Sequence, residues 1–124
     1  EARARVVTAI PYPSFLALLR GAVVAVSDSG GVQEEGATLG VPVAVTREIT
    51  ERGEGIQEGA AVLVGTDEDR IVDVVGGLLR DDVRRAAMAD AGRRLYGDGH
   101  AATRIAEVMA ADLATDLAAD SRTA

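Results

Sequence analysis

Two hydrophobic patterns alternate along the first two thirds of the chain. Short β-branched runs read as strands: Arg5–Ile10, Ala22–Val26, Val41–Val45 and Ala60–Val64. Ala22–Val26 is continuously apolar, as strands covered on both faces of a parallel sheet are. Helical spacing fills the gaps. Ser14–Arg20 carries Phe15, Leu16, Leu18 and Leu19 before a stop at Gly21, and Val32–Leu39 stops at Gly40. A charged loop, Arg47–Glu54, leads to a short turn or helix around Ile56–Gln57. Beyond Thr66 and Asp67, either of which suits a helix cap, the pattern is helical throughout. Ile71, Val74, Val75, Leu78 and Leu79 recur at the spacing of one buried helix face. The next helix opens at Asp81 or Asp82, with Val83, Ala87 and Met88 expected inward. After the turn Tyr96-Gly97-Asp98-Gly99, a long Ala-rich helix carries Ile105, Val108, Met109 and Leu113 on one side. Residues 1–115 are expected to form one domain and residues 116–124 a frayed polar tail.

Strands alternating with helices predict an α/β fold, a Rossmann-like parallel sheet flanked by helices. Ligands in such sheets sit beyond the carboxyl ends of the strands, at helix N-termini. That rule nominates the loop after Ile10, the Ser27–Gly31 turn and the Arg47–Glu54 loop.

Composition removes several alternatives. A 124-residue chain with 48% hydrophobic and 27% charged residues has the balance of one globular domain. Its formal charge of -7 argues against a non-specific nucleic-acid binder. No apolar run approaches the ~20 residues that span a bilayer. There is no Cys and a single His, His100, which excludes thiolate chemistry and multi-His metal cages, and no metal site is expected. All thirteen basic residues are Arg, which points to coding bias rather than phosphate recognition. The first residue is Glu1 and no secretory pattern follows it, so a fragment of a longer, cytoplasmic protein is expected.

The chemistry-bearing stretch is Ser27-Asp28-Ser29-Gly30-Gly31-Val32-Gln33-Glu34-Glu35. A buried strand runs through small residues straight into a helix, whose first-turn N–H groups lack internal acceptors. An anion there gains hydrogen bonds and the positive end of the helix dipole. Gly30 and Gly31 let it approach, and Ser29 can add a hydroxyl. The plainer reading of Ser29 or Asp28 is an N-cap alone. Glu35 lies one turn beyond Gly31 and is acceptor-only, suited to a pair of hydroxyls; a solvated carboxylate is the alternative. Arg52 suits a diphosphate charge or a surface ion pair. Phe15, the only Phe, is a platform for a base or a core residue.

These blocks, with Leu39-Gly40-Val41-Pro42-Val43, Thr50-Glu51-Arg52, Val64-Gly65-Thr66-Asp67 and Tyr96-Gly97-Asp98-Gly99, follow one another at a family's separations. From about Val6 to Met109 the chain resembles the C-terminal domain of the non-hydrolysing UDP-N-acetylglucosamine 2-epimerases. The resemblance implies the C-terminal half of a GT-B fold, with the ligand, UDP or a UDP-N-acetylhexosamine, in an interdomain cleft. It implies Phe15 on the uracil, Ser29 and the Gly30 amide on phosphate oxygens with Gly31 beside them, Glu35 on both ribose hydroxyls, and Arg52 near the diphosphate or sugar. It also implies a homodimeric full-length protein that needs no cofactor. The acid–base groups would belong to an N-terminal catalytic domain, so no catalytic residue is expected here and the chain should bind without turnover. Ala9, Gly36, Gly53 and Leu95 depart from the family's usual pattern, and Gly53 loosens the loop that aims Arg52. A donor domain of a GT-B glycosyltransferase and a non-catalytic nucleotide-sugar binding module are the competing readings.

Overall fold

The structure, a computed structural model, describes residues 4–120. Among the described residues, six helices and three strands follow in the order α1 (Tyr12–Arg20), β1 (Ala25–Ser27), α2 (Gly30–Leu39), β2 (Val43–Val45), α3 (Gly53–Gln57), β3 (Ala61–Leu63), α4 (Glu68–Arg80), α5 (Asp82–Leu95) and α6 (Ala101–Asp120). The strands form one parallel sheet in the order β1-β2-β3, with Ala25 opposite Val43 and Val43 opposite Ala61. Central strand β2 is fully buried over all three residues, so both its faces are covered. Val43, Val45 and Ala61 form the core of the sheet, with Ala25, Ile56 and Leu63 packed against them.

Sequence chemistry sets the helix ends. Asp67 caps α4 and Asp81 caps α5, each carboxylate accepting a backbone N–H three residues on at 2.8 Å. α2 ends at Gly40, whose left-handed φ of 72° favours glycine. The Gly40 and Val41 amides then donate back to the Ala37 and Gly36 carbonyls at 3.0 and 2.7 Å.

α2 is the hub: it packs on α5 most extensively, and on α1, α3, β1 and β2 as well. Missing side chains permit this closeness. A Cβ on Gly36 would stand 2.5 Å from Val43 Cγ2, and one on Gly92 of α5 would stand 2.6 Å from the Ala37 carbonyl oxygen. Gly36 therefore costs helix propensity and returns a close helix–sheet contact.

Three expectations are corrected. Arg5–Ile10 is not a strand: it has no ladder partner among the described residues, and Val6 and Val7 are 99% and 64% exposed. β propensity without a neighbouring strand leaves the backbone groups to water. Val83 is 81% exposed, so only Met88 of its expected trio is buried. Leu79 is likewise exposed, while Leu78 is fully buried. The apolar side of α6 is open, with Ile105, Val108, Met109 and Leu113 all close to 60% exposed. Helix α6 continues through Asp120, into the stretch expected as a tail, and residues 121–124 lie outside the described residues.

The start of α6 is organised by Asp98. Its carboxylate accepts the His100 N–H at 3.1 Å and pairs with Arg104. The Arg104 hydrogen bond, then the His100 amide, hold this carboxyl below the ordinary Asp value.

Two predictions follow from these contacts. Gly92→Ala drives a methyl into α2 backbone, an overpacking cost of about 1–3 kcal/mol that exceeds the helix-propensity gain of up to about 1 kcal/mol. Thermal unfolding followed by circular dichroism should show a midpoint several degrees lower; an unchanged midpoint refutes the tight α2–α5 contact. Asp98 should titrate below the ordinary value of about 3.9, and Arg104→Ala should move its carboxyl NMR midpoint upward. Because the folded value is the lower one, the stabilisation is complete above the ordinary Asp value and disappears as pH falls through the folded value.

Candidate functional site

β1 delivers the chain directly to the α2 N-terminus. At its end, the Ser27 hydroxyl oxygen accepts the Ser29 N–H at 3.1 Å. Ser29, in extended conformation, is the N-cap, and its Oγ accepts the Val32 N–H at 3.4 Å. The first helical bond joins Gln33 N–H to the Ser29 carbonyl at 3.2 Å. Gly30 and Gly31 thus present the earliest N–H groups of the helix, which have no acceptor within it. The capping reading and the anion reading of Ser29 are compatible, since an oxygen that accepts from Val32 still carries an O–H to donate.

The Arg47–Glu54 loop folds over this terminus. A Cβ on Gly30 would lie 3.3 Å from Glu51 Oε1 and 3.8 Å from the Arg52 guanidinium carbon. Ser29, Gly30 and Arg52 are therefore brought together at the α2 terminus. Arg52 is also engaged: its Nε donates to Glu34, and Glu51 lies 4.0 Å from it. The Glu34 hydrogen bond raises the Arg52 pKa above its ordinary range. Glu51 is paired with Arg47 at 2.9 Å, and backbone hydrogen bonding followed by Arg47 holds its carboxyl below the usual Glu value. Such half-exposed pairs add little to stability; they orient side chains around the amides.

Glu35 lies one turn into α2, on the same face as Gly31. It borders an open cavity of about 640 Å³ between α1, α2, α3 and the end of α5, with Tyr12, Leu16, Glu34, Glu54 and Tyr96 also on its wall. The Tyr12 hydroxyl donates to Glu35 Oε1 at 2.7 Å, and this bond raises the phenol pKa. Tyr96 Oη is buried and has no hydrogen-bond partner among the described residues; burial, then Glu54 and Glu34, push its pKa up. Phe15 is half-buried on α1, three residues from Tyr12 and four from buried Leu19, but does not line the cavity. The site residues thus form two groups around α2: Ser29, Gly30 and Gly31 at its terminus with Arg52 from the following loop, and Glu35 at the cavity with Tyr12 from α1.

Sequence reasoning missed Tyr12 as the partner of Glu35 and Glu34 as the partner of Arg52. Tyr12 had one signal, its place beside a predicted ligand loop; the Glu34 pairing joins segments 18 residues apart and has none. Among the described residues, no three His, Asp or Glu side chains converge to hold a metal ion. No described helix is long and apolar enough to cross a membrane.

Comparison with known proteins places this geometry in context. The family model for UDP-N-acetylglucosamine 2-epimerase matches residues 1–110. The UDP-N-acetylglucosamine 2-epimerase of Escherichia coli K12 is 46% identical over 98 residues, covering 79% of this chain and 26% of the relative. That of Bacillus subtilis 168 is 48% identical over 83 residues, 67% of this chain and 22% of the relative. Among solved structures, the UDP-GlcNAc 2-epimerase from Neisseria meningitidis bound to UDP-GlcNAc superposes with a TM-score of 0.73 at 36% identity, covering 79% of this chain and 26% of that one. The S. aureus MnaA–UDP co-structure gives a TM-score of 0.71 at 33% identity, with 75% and 25% coverage. The chain spans about a quarter of the length of the curated relatives it matches. Its sheet and helices correspond to the C-terminal half of a GT-B fold. The chain belongs to the UDP-N-acetylglucosamine 2-epimerase family.

Proposed function

We propose that this chain is the UDP-holding part of a UDP-N-acetylglucosamine 2-epimerase and that, alone, it binds uridine diphosphate without turning over the sugar. The observation that carries the reading is the arrangement along α2: capped terminal amides at Ser29–Gly31 and a half-buried carboxylate, Glu35, one turn further on. With a rise of 1.5 Å per residue, Gly31 and Glu35 are about 6 Å apart along the axis, a span that fits phosphate at one end and ribose at the other. Family members bound to UDP and to UDP-GlcNAc support the same ligand class.

In this reading the diphosphate oxygens accept the Gly30 and Gly31 N–H groups and the Ser29 hydroxyl, helped by the helix dipole. Arg52, held by Glu34, turns its remaining N–H donors toward the same charge. Glu35 accepts the two ribose hydroxyls; the Tyr12 hydroxyl on its Oε1 then shares or yields that oxygen. Phe15 offers the base an aromatic face. The family's reaction removes the proton at sugar C2, expels UDP to leave a 2-acetamidoglucal, and re-adds UDP with the proton on the opposite face. Stabilising the UDP that departs is the part this chain can supply. Proton removal requires a base within hydrogen-bond reach of C2, and Glu34 and Glu35 already bond Arg52 and Tyr12. That step is assigned to the remainder of the full-length enzyme, proposed here to be a homodimer acting in the cytoplasm.

A backbone-amide NMR titration tests the proposal. UDP should shift the amides of Gly30, Gly31, Val32 and Glu35, and ADP at the same concentration should not. dUDP should bind about tenfold more weakly, the scale of one charge-assisted hydrogen bond. Glu35→Ala should abolish that discrimination. Equal binding of UDP and dUDP by the unaltered chain overturns the role of Glu35, and no shifts at millimolar UDP overturn the binding reading.

A further inference from the structure

Among the described residues, one polar side chain is buried in the core: Gln33, at 2% exposure. A buried amide is costly unless its donors and acceptor find partners, and those of Gln33 form a directed chain. Its Nε2 donates back to the Ser29 carbonyl at 3.4 Å. Its Oε1 accepts the Thr50 hydroxyl at 2.8 Å. Having donated its proton to Gln33, Thr50 Oγ1 accepts the Arg52 backbone N–H at 3.2 Å. Each link fixes the polarity of the next, and the chain runs from the α2 cap to the backbone of the residue above the α2 terminus.

The next residue, Glu34, takes the Arg52 side chain by its Nε. Arg52 is therefore gripped twice from adjacent positions of α2, its backbone through Gln33 and Thr50 and its guanidinium through Glu34. Both grips are part-buried, and only the first is anchored on a fully buried side chain, Gln33. The loop carrying Arg52 has exposed Ile49 and Glu51, and Arg52 opens α3 without a side-chain cap; its other ties are the exposed Arg47–Glu51 pair and the Gly55 N–H on the Arg52 carbonyl at 3.1 Å.

We propose that Gln33 is a positioning residue for the anion site: through Thr50 it sets Arg52 over the first-turn amides of α2, and so contributes to holding the diphosphate without touching it. The role in ligand binding rests on the UDP reading above; the coupling of Gln33 to Arg52 does not, which lets the two be tested separately.

The experiment uses Gln33→Met, which keeps length and removes both hydrogen-bonding groups, together with Thr50→Val, which removes the hydroxyl, and Thr50→Ser, which restores it. Thr50 is only half-buried, so its variants guard against loss of fold in the Gln33 variant. In the ligand-free chain, heteronuclear NOEs should fall at the amides of Thr50–Arg52 in Gln33→Met and Thr50→Val, stay normal in Thr50→Ser, and remain unchanged at Val43–Val45. UDP should bind both disrupted variants about tenfold more weakly, the scale of one misplaced charge-assisted contact, with uridine binding unaltered and Thr50→Ser like the parent. Unchanged order at Thr50–Arg52 in Thr50→Val overturns the coupling. Equal loss of UDP and uridine binding overturns the positioning role in favour of general loosening. Loss of loop order in variants of a chain that does not bind UDP supports the coupling and overturns the UDP reading.

Discussion

The closeness with which α2 lies against its neighbours controls this domain. Helix axes ordinarily stand 8–10 Å apart because side chains intervene. Here Gly36 lets α2 sink onto Val43 of the central strand, and Gly92 lets α5 rest on α2 backbone at Ala37. Val43, Val45 and Ala44 are sealed as a result. Ala37 and Gly36 occupy the middle of α2, and the helix is only ten residues long. A helix this short is marginal alone, so its terminus can serve as a site only because its middle is clamped.

Clamping the middle determines what the ends can do. Gln33, Gly36 and Ala37 make up the buried side of α2, which puts Glu34, Glu35 and Thr38 toward the less buried sides. Glu34 thereby meets Arg52, and Glu35 meets Tyr12. The charges around the terminus are largely paired, Arg47 with Glu51 and Arg52 with Glu34. A net-negative chain can therefore still attract an anion locally: the attraction comes from oriented amides and the helix dipole, which act over one turn, rather than from net charge, which salt screens beyond about a Debye length.

Much of this was legible in the sequence, and the limits are physical. The parallel α/β order, the Gly21 and Gly40 helix stops and the Ser29 cap rest on local chemistry, and the structure has them. The three paired strands came out shorter than their apolar runs, and Val23 and Val26 of the run expected to be covered on both faces are about half exposed: a run of valines marks β propensity, whereas a strand needs a ladder and burial needs a covering layer. Arg5–Ile10 fails for that reason. Ile105, Val108, Met109 and Leu113 show the complementary limit. Their spacing establishes that one face of α6 is apolar, but periodicity says nothing about whether the same chain covers it. At the site, Ser29, Gly30 and Glu35 carried a signal in spacing from a helix start. Gln33 carried none: between a glycine pair and two glutamates, nothing distinguishes a buried glutamine from a solvated one, and its partner Thr50 is 17 residues away.

The polar connections also separate holding from reacting. An acid–base group must be free to exchange a proton with substrate at the working pH. The ionisable groups gathered around α2 are committed to one another: Tyr12 is a donor to Glu35, with its phenol pKa raised by that bond, and Arg52, a guanidinium that stays protonated in any case, donates to Glu34. These arrangements favour fixed charges and fixed hydrogen-bond polarity, which is what recognition of a diphosphate and a diol requires. The same features make a poor proton relay, because moving a proton off any member would break the pair that positions it. Proposed ligand binding in this quarter of the family's length, with proton transfer supplied elsewhere, is therefore the division of labour that the electrostatics of α2 favour.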